Sequence, residues 1–346
     1  MYINPYHKKS ISNLNFLVTG GAGFIGSHLV EYLLKFGASK VRVLDNIATG
    51  QQSNINLFAS HHNYEWIDGD IRKPADCEAA CKGIDIVLHQ AALGSVPRSI
   101  KDPQTTNAVN IDGFLNMLVA ARNNKVQRFV FASSSSVYGD HPALPKVEQN
   151  IGKQLSPYAV SKYTNELYAN VFAQVYDMEI IGLRYFNIFG PRQSPKGAYA
   201  AVIPLFINNL LHQKSPTIHG DGLQTRDFTF VENAVQANIC AALTENQSAL
   251  NQVYNVAVGE NFSLLNLVEK LNKIVGTKIS ASHVESRSGD IRNSLADINK
   301  ANQLLGYNPL IRFDEGLAIT VISFKAISML SGPIPVLSTE ILLLPI

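Results

Sequence analysis

Charge is scarce in this sequence. Lys and Arg number 29 and Asp and Glu 27, a net charge of +2 over 346 residues. A chain so balanced carries no basic field for nucleic acid or for an anionic membrane surface. Any phosphate it holds must be met by a few placed cations. Cysteine is scarcer still, with only Cys77, Cys81 and Cys240. Three thiols make no disulfide framework and fit a reducing compartment, so a cytoplasmic location is expected. Cys77 and Cys81 have no histidine or second cysteine pair nearby, which argues against zinc, and no metal is expected. Long apolar runs are also missing. From Leu317 to Ile346 the chain is apolar, but Lys325, the Ser331-Gly332-Pro333 break, Pro335 and Glu340 interrupt it. It falls short of the roughly eighteen residues a spanning helix needs. The segment is expected to be a packed or interface segment, or an atypical terminus, and not a membrane anchor. Met1–Ser12 is polar, carries Lys8 and Lys9, and leads into no apolar stretch. It is expected to be a frayed tail and not a signal peptide.

Apolar residues are plentiful at 46%, enough for a sizeable core. Apolar runs at 16–18, 41–44, 64–67, 84–89, 128–132 and 179–183 alternate with helical patterns at 25–36, 74–81, 105–123 and 158–176. Such alternation predicts an α/β fold, a doubly wound parallel sheet with helices on both faces. After Asn187 the rhythm breaks into loops, a strand-like 252–256 and a helix near 264–274. The expected division is a Rossmann domain over 1–190, to which 230–258 returns, an interleaved substrate-binding region over 191–316, and an apolar tail over 317–346.

The run Val18-Thr19-Gly20-Gly21-Ala22-Gly23-Phe24-Ile25-Gly26 lies between a predicted strand and a predicted helix. Gly20 allows a sharp turn, Gly23 clears a side chain from the path of a pyrophosphate, and Gly26 lets helix and strand pack closely. The helix start offers free N–H groups to the phosphates. Asp45 closes the second apolar run. An acid there accepts the ribose 2′-hydroxyl and repels a 2′-phosphate, so NAD is the expected cofactor rather than NADP.

Tyr158 and Lys162 are four residues apart at the start of a predicted helix, behind Ser156-Pro157, and so share a face. A cation beside the phenol, with a positively charged nicotinamide ring, lowers its pKa and makes it a base near neutral pH. The run 129–132 ends in four hydroxyls, Ser133, Ser134, Ser135 and Ser136. Carboxyl ends of parallel strands are where such sheets bind ligands.

Glycine turn, acid, serine strand end and Tyr-x-x-x-Lys, in this order, resemble the extended short-chain dehydrogenase/reductase family over about residues 15–315. The resemblance implies a tightly held nicotinamide cofactor, a nucleotide-sugar substrate and a catalytic Ser134, Tyr158 and Lys162. It implies cofactor contacts from Gly20, Gly23, Phe24, Ile25 and Gly26, and from Asp45, Asn46, Thr49 and Gly50 around the adenosine ribose. Asp70 and Ile71 match the adenine contact. Gln90, Ala91, Ala92 and Asn110 run along the cofactor, with Ser133, Tyr158, Lys162, Tyr185 and Phe186 toward the nicotinamide.

Dehydratases and decarboxylases of the family carry an acid after the catalytic serine or threonine. Here Ser135 and Ser136 follow, which favours 4-epimerisation. Gly94-Ser95-Val96-Pro97-Arg98, the segment 197–204 and Asp290-Ile291-Arg292-Asn293-Ser294 further resemble bacterial epimerases acting on UDP-N-acetylhexosamines. On that resemblance Gly94, Ser95, Ser134, Ser135, Ser136, Tyr158, Asn187, Gln193, Ala201 and Val202 line the substrate site. Arg226 and Arg287 grip the diphosphate, Asp290 meets the uridine ribose, and Ser294 leaves room for a 2-acetamido group where an aromatic would clash. Asp227 is expected in an ion pair with a basic neighbour. The expected activity is interconversion of UDP-GlcNAc and UDP-GalNAc. The rivals are a 4-epimerase of UDP-glucose/galactose or of UDP-uronic acids, with Arg98 the candidate for a C6 carboxylate, and a non-catalytic NAD sensor. A homodimer through the 105–123 and 158–176 helices is also implied. The sequence departs from the family after Glu315-Gly316-Leu317, where an aromatic pair is usual.

Overall fold

The computed structural model describes residues 1–195, 200–285 and 292–331. Seven strands form one parallel sheet: β1 (Asn15–Thr19), β2 (Lys40–Asp45), β3 (Tyr64–Asp68), β4 (Ile86–His89), β5 (Arg128–Ser134), β6 (Ile180–Tyr185) and β7 (Gln252–Val256). Their spatial order is β7-β6-β5-β4-β1-β2-β3. The order reverses between β1 and β4, which opens a crevice at the carboxyl ends. Central strands are buried on both faces, as their continuous apolar runs require.

Helices cover both faces. On one side α1 (Phe24–Lys35) packs with the 231–243 helix against Val18, Val43, Leu88, Val130 and Leu183. On the other, α2 (Pro74–Cys81), α3 (Gly113–Asn123) and α4 (Pro157–Tyr176) pack against Leu17, Val87, Phe129 and Phe131. Cys77 and Cys81 belong to this second core, where burial pushes both thiols up to about 12. A third apolar cluster lies beyond β6, where α5 (Val202–Leu211), α6 (Val231–Leu243), α7 (Leu264–Val275) and α8 (Phe313–Ser331) contribute Phe206, Val231, Leu267 and Leu317. Among the described residues no helix is long and apolar enough to cross a membrane.

Several expectations change here. The helix expected over 105–123 is divided into Pro103–Asn107, a wide π-type turn at Ala108–Asp112, and α3. The Met1–Ser12 segment is not a frayed tail: Tyr2 and Ile11 are buried and pack into the first core. Tyr2 bonds His28 through its hydroxyl, and Tyr6 bonds Glu232 at 2.5 Å. The start of the apolar tail belongs to α8, with Leu317, Val321 and Phe324 buried; residues 332–346 lie outside the described residues.

Candidate active site

One cavity of about 670 Å³ runs along the carboxyl ends of the strands, from Asp70 after β3 to Tyr185 at the end of β6. The glycine turn forms its floor. Gly20 is at φ +72°, and a Cβ there would lie 2.7 Å from the Ala91 nitrogen. A Cβ on Gly26 would lie 2.2 Å from the Gly20 oxygen. Neither position tolerates a side chain, which fits a turn built for close approach of a phosphate to backbone. Gly23 caps α1 in extended conformation, so the helix N–H groups face the cavity without a side-chain partner.

Asp45 ends β2 and accepts N–H bonds from Ala22 (3.0 Å) and Ile47 (2.8 Å). Burial raises its pKa, and these N–H groups oppose the shift. Asp70 is held in a two-point ion pair by Arg72 and accepts an amide bond from Asn46 (3.1 Å). The Arg72 contact keeps Asp70 below the usual carboxylate range. Asn46, Thr49, Asp70, Ile71, Gln90, Ala91 and Ala92 all line this half. Gly50 does not; it packs on Ala22. Asn110 stands behind the lining, bonding both backbone groups of Leu93 and the Ser161 hydroxyl.

In the other half, Ser156 caps α4 by accepting the Ala159 N–H at 3.1 Å. Pro157 occupies the first turn, so Tyr158 and Lys162 both face the end of β5. Lys162 Nζ donates to the Ala132 oxygen at 2.7 Å. Burial lowers this lysine to about 8, and Glu166 opposes the shift. Tyr158 hydrogen-bonds Ser134, which lowers its pKa, but burial is the larger cause and the net direction is upward. The expected lowering by Lys162 is therefore absent from the protein alone. A cationic ring beside the phenol is needed to complete it.

Ser134 and Ser135 line the cavity. Ser134 also caps a short helical turn at Ser135–Tyr138, accepting the Ser136 N–H at 3.2 Å. Ser136 is not a lining residue; its hydroxyl lies 3.0 Å from that of Ser134. Ser133 lines the cavity and donates to Glu166 at 2.5 Å. Tyr185 lines it too, in a closed set with Gln90 (3.0 Å) and Asn238 (2.6 Å). Phe186 points elsewhere, fully buried beside Tyr138, Ala257 and Ala296.

Of the expected substrate contacts, Gly94, Ser95, Asn187 and Gln193 line the cavity. Gln193 donates to the Ile188 oxygen at 3.1 Å, and its own carbonyl oxygen is buried without a partner. Ala201, Val202, Arg226 and Ser294 do not line it. Arg226 bonds the backbone oxygens of Thr225 and Arg292, and the Ser294 N–H bonds Thr225. Arg287 and Asp290 lie outside the described residues. Among the described residues Asp227 makes no ion pair; it accepts the N–H groups of Val258, Gly259 and Ala296, and burial raises it to about 7. Two charged residues of the site stand outside the sequence expectations. Arg72 lines the cavity, and its place two residues after Asp70 was the available signal. Glu166 lies one helical turn beyond Lys162, a spacing that could have pointed to it.

The model of the NAD dependent epimerase/dehydratase family matches residues 16–257. UDP-glucose 4-epimerase of Mycolicibacterium smegmatis is 35% identical over 316 residues, 89% of this chain and 98% of its own. Among solved structures, the UDP-N-acetylglucosamine 4-epimerase of Methanobrevibacter ruminantium, in complex with UDP-N-acetylmuramic acid, is 40% identical. It covers 90% of this chain and 98% of its own, with a TM-score of 0.85. The UDP-glucuronic acid 4-epimerase of Bacillus cereus, solved with UDP-glucuronic acid and NAD, is 33% identical with a TM-score of 0.84, covering 91% and 100% of the two chains. With a continuous family match and a glycine turn that leaves room for a pyrophosphate, this chain belongs to the NAD-dependent epimerase/dehydratase family of extended short-chain dehydrogenases/reductases. Its class within that family is nucleotide-sugar 4-epimerase, an NAD-using isomerase.

Proposed function

We propose that the chain is a 4-epimerase of UDP-N-acetylhexosamines, interconverting UDP-GlcNAc and UDP-GalNAc. The observation that carries the reading is the end of β5. Ser134 and Tyr158 are hydrogen-bonded there above Lys162, while the carboxylates lining the cavity, Asp45 and Asp70, lie after β2 and β3. Among the described residues no carboxylate lines the cavity beside Tyr158, since Glu166 is engaged by Ser133 and Arg184. A base at C4 without a lining acid next to it moves one proton and leaves the neighbouring carbons alone.

In this reading Tyr158 accepts the proton of the sugar 4-hydroxyl and later returns it. Ser134 orients the same oxygen. Lys162, anchored on Ala132, supports the phenolate. Bound NAD supplies hydride acceptance and return at C4. Gly20, Gly23, Gly26, Asp45 and Asp70 would hold it. The 4-keto sugar presents its opposite face after turning about the diphosphate linkage, which requires a firm diphosphate grip and looser sugar contacts. Asn187 supports that grip from inside the cavity. Arg226, Arg287 and Asp290 are proposed to join it when substrate is present, and Ala201 and Val202 to border the sugar.

The N-acetyl preference rests on size. Gly94 faces open space. Ser294 is proposed to keep the adjoining space open. The structure of the M. ruminantium enzyme supports the same substrate class. Incubating purified protein separately with UDP-GlcNAc, UDP-glucose and UDP-glucuronic acid, with C4 stereochemistry followed by proton NMR, tests the reading. Conversion of UDP-GlcNAc at the highest kcat/KM is expected. Preference for either other sugar would replace the substrate assignment, and no conversion of any would favour a sensor.

A second copy of the chain is the proposed partner. Val160, Leu167 and Val171 are about half exposed, and Val175 more so, along one side of α4, the helix implicated from sequence.

A further inference from the structure

The loop that brings Gln193 to the cavity is anchored on α1, and α1 is covered there by a segment outside the family match. Pro191, Arg192 and Gln193 follow Gly190, and Arg192 is at φ +65°. A non-glycine residue stays in that conformation when its surroundings hold it. The surroundings are specific. His28 of α1 has its Nε2 3.0 Å from the Pro191 oxygen. Arg192 reaches back to the His28 Nδ1 at 2.7 Å, to the Ser27 oxygen at 3.1 Å and to the Glu31 carboxylate. A guanidinium only donates, so Nδ1 accepts, and the imidazole proton sits on Nε2, where it donates to Pro191. One neutral tautomer of His28 thus satisfies both ends of the loop contact.

The amino-terminal segment also packs on His28, at the same Nδ1. Tyr2 is completely buried, with its hydroxyl 3.1 Å from His28 Nδ1 and 3.2 Å from the His28 oxygen. Tyr6 stacks on Tyr32 with centroids 5.2 Å apart, and its N–H donates to the Tyr32 hydroxyl at 2.6 Å. Glu232 at the start of α6 accepts from the Tyr6 hydroxyl at 2.5 Å and the Tyr2 N–H at 3.3 Å. The segment precedes residue 16, where the family match begins.

We propose that Tyr2–Tyr6 and His28 form a strut that fixes the Pro191–Gln193 loop at the sugar half of the cavity, making Tyr2 and His28 positioning residues for substrate binding. What the loop contacts rests on the epimerase reading; the strut itself does not. Its effect falls on substrate affinity rather than on the chemical step, since Tyr158, Ser134 and Lys162 stand on β5 and α4.

Three full-length variants test it: Tyr2→Ala, His28→Leu, and His28→Gln, which keeps an amide N–H for Pro191. Hydrogen exchange of a peptide spanning residues 188–194, NAD content, and KM and kcat for UDP-GlcNAc are measured on each. Tyr2→Ala and His28→Leu are expected to speed exchange of that peptide and raise KM by about tenfold, with kcat within about threefold and NAD content unchanged. His28→Gln is expected to recover part of both. Unchanged loop exchange in the Tyr2→Ala protein overturns the strut. Faster exchange with an unchanged KM overturns the positioning role. Loss of protection throughout the chain, with His28→Gln no better than His28→Leu, also overturns it by showing a general folding role. If the wild-type chain converts no UDP-sugar, the epimerase reading fails, and loop exchange still decides the strut.

Discussion

Lys162 on α4 donates from Nζ to the backbone oxygen of Ala132 on β5 at 2.7 Å. The bond ties the helix carrying the tyrosine to the strand carrying the serines. It also fixes a cation in a buried place, which gives the site a pH limit. Burial lowers Lys162 to about 8. The cation is present below that pH and lost above it, so kcat is expected to fall on the alkaline side with an apparent pKa near 8. Folding linkage runs the opposite way. The folded pKa is below the unfolded one, so this group's contribution to stability improves as pH rises from about 8 toward about 10.4. A kcat profile flat from about pH 7 to 9.5 would contradict the assignment.

Tyr158→Phe removes the proton acceptor and keeps the ring. Turnover is expected to drop by about 10²–10⁴-fold, with NAD content and circular dichroism unchanged. A Phe variant that still epimerises at the wild-type rate would remove Tyr158 as the base.

Glu166→Ala strips the partner from Arg184, whose Nε and NH2 lie 2.9 and 2.8 Å from the two carboxylate oxygens in a buried pair. Leaving a buried guanidinium unpaired costs about 3–5 kcal/mol. The loss should appear as a lower denaturation midpoint in urea. Ser133 loses its acceptor as well. Glu166→Gln keeps shape and one acceptor, and an intermediate midpoint is expected.

Gly26→Ala places a Cβ 2.2 Å from the Gly20 oxygen. That neighbour is backbone and can yield only by moving the turn. The purified variant is expected to carry less than about a tenth of wild-type NAD, read from the absorbance of a denatured extract, and to lose activity in proportion. Full NAD occupancy would show that the turn is not where the pyrophosphate rests.

Val171→Glu puts a charge on the half-exposed apolar side of α4. If that side joins two copies, light scattering on size-exclusion chromatography shifts from dimer to monomer mass. A wild-type chain that already elutes as a monomer would refute the interface.

Much of the architecture was legible locally. Apolar runs marked six strands and 252–256 read as strand-like; the central strands were the clearest because a strand buried on both faces has no polar side to display. Of the helices, 74–81 was legible to the residue, helped by Pro74 at its start. The 105–123 pattern was misread as one helix because apolar periodicity does not register a single widened turn. In the site, the glycine turn, Asp45, Tyr158 and Lys162 were readable from spacing and Ser134 from the family resemblance, and the cavity gathers them. The expectations that moved were those whose partners lie far away in sequence. Phe186 was placed by proximity to a motif, but its ring turns to Tyr138 and Ala257. Asp227 was assigned a charged neighbour, yet it serves three backbone N–H groups from two distant loops.

The sequence by itself determined the α/β alternation, the dinucleotide turn and the tyrosine–lysine face, since each follows from residues within a few positions of one another. Only the tertiary structure decided that β7 lies beside β6, that Glu166 serves Ser133 and Arg184 together, and that His28 meets both Tyr2 and the Pro191 oxygen 163 residues further on. Such contacts join segments with no common local pattern. They are set by the order of strands in the sheet and by buried polar groups, which find partners wherever the fold brings a donor and an acceptor together.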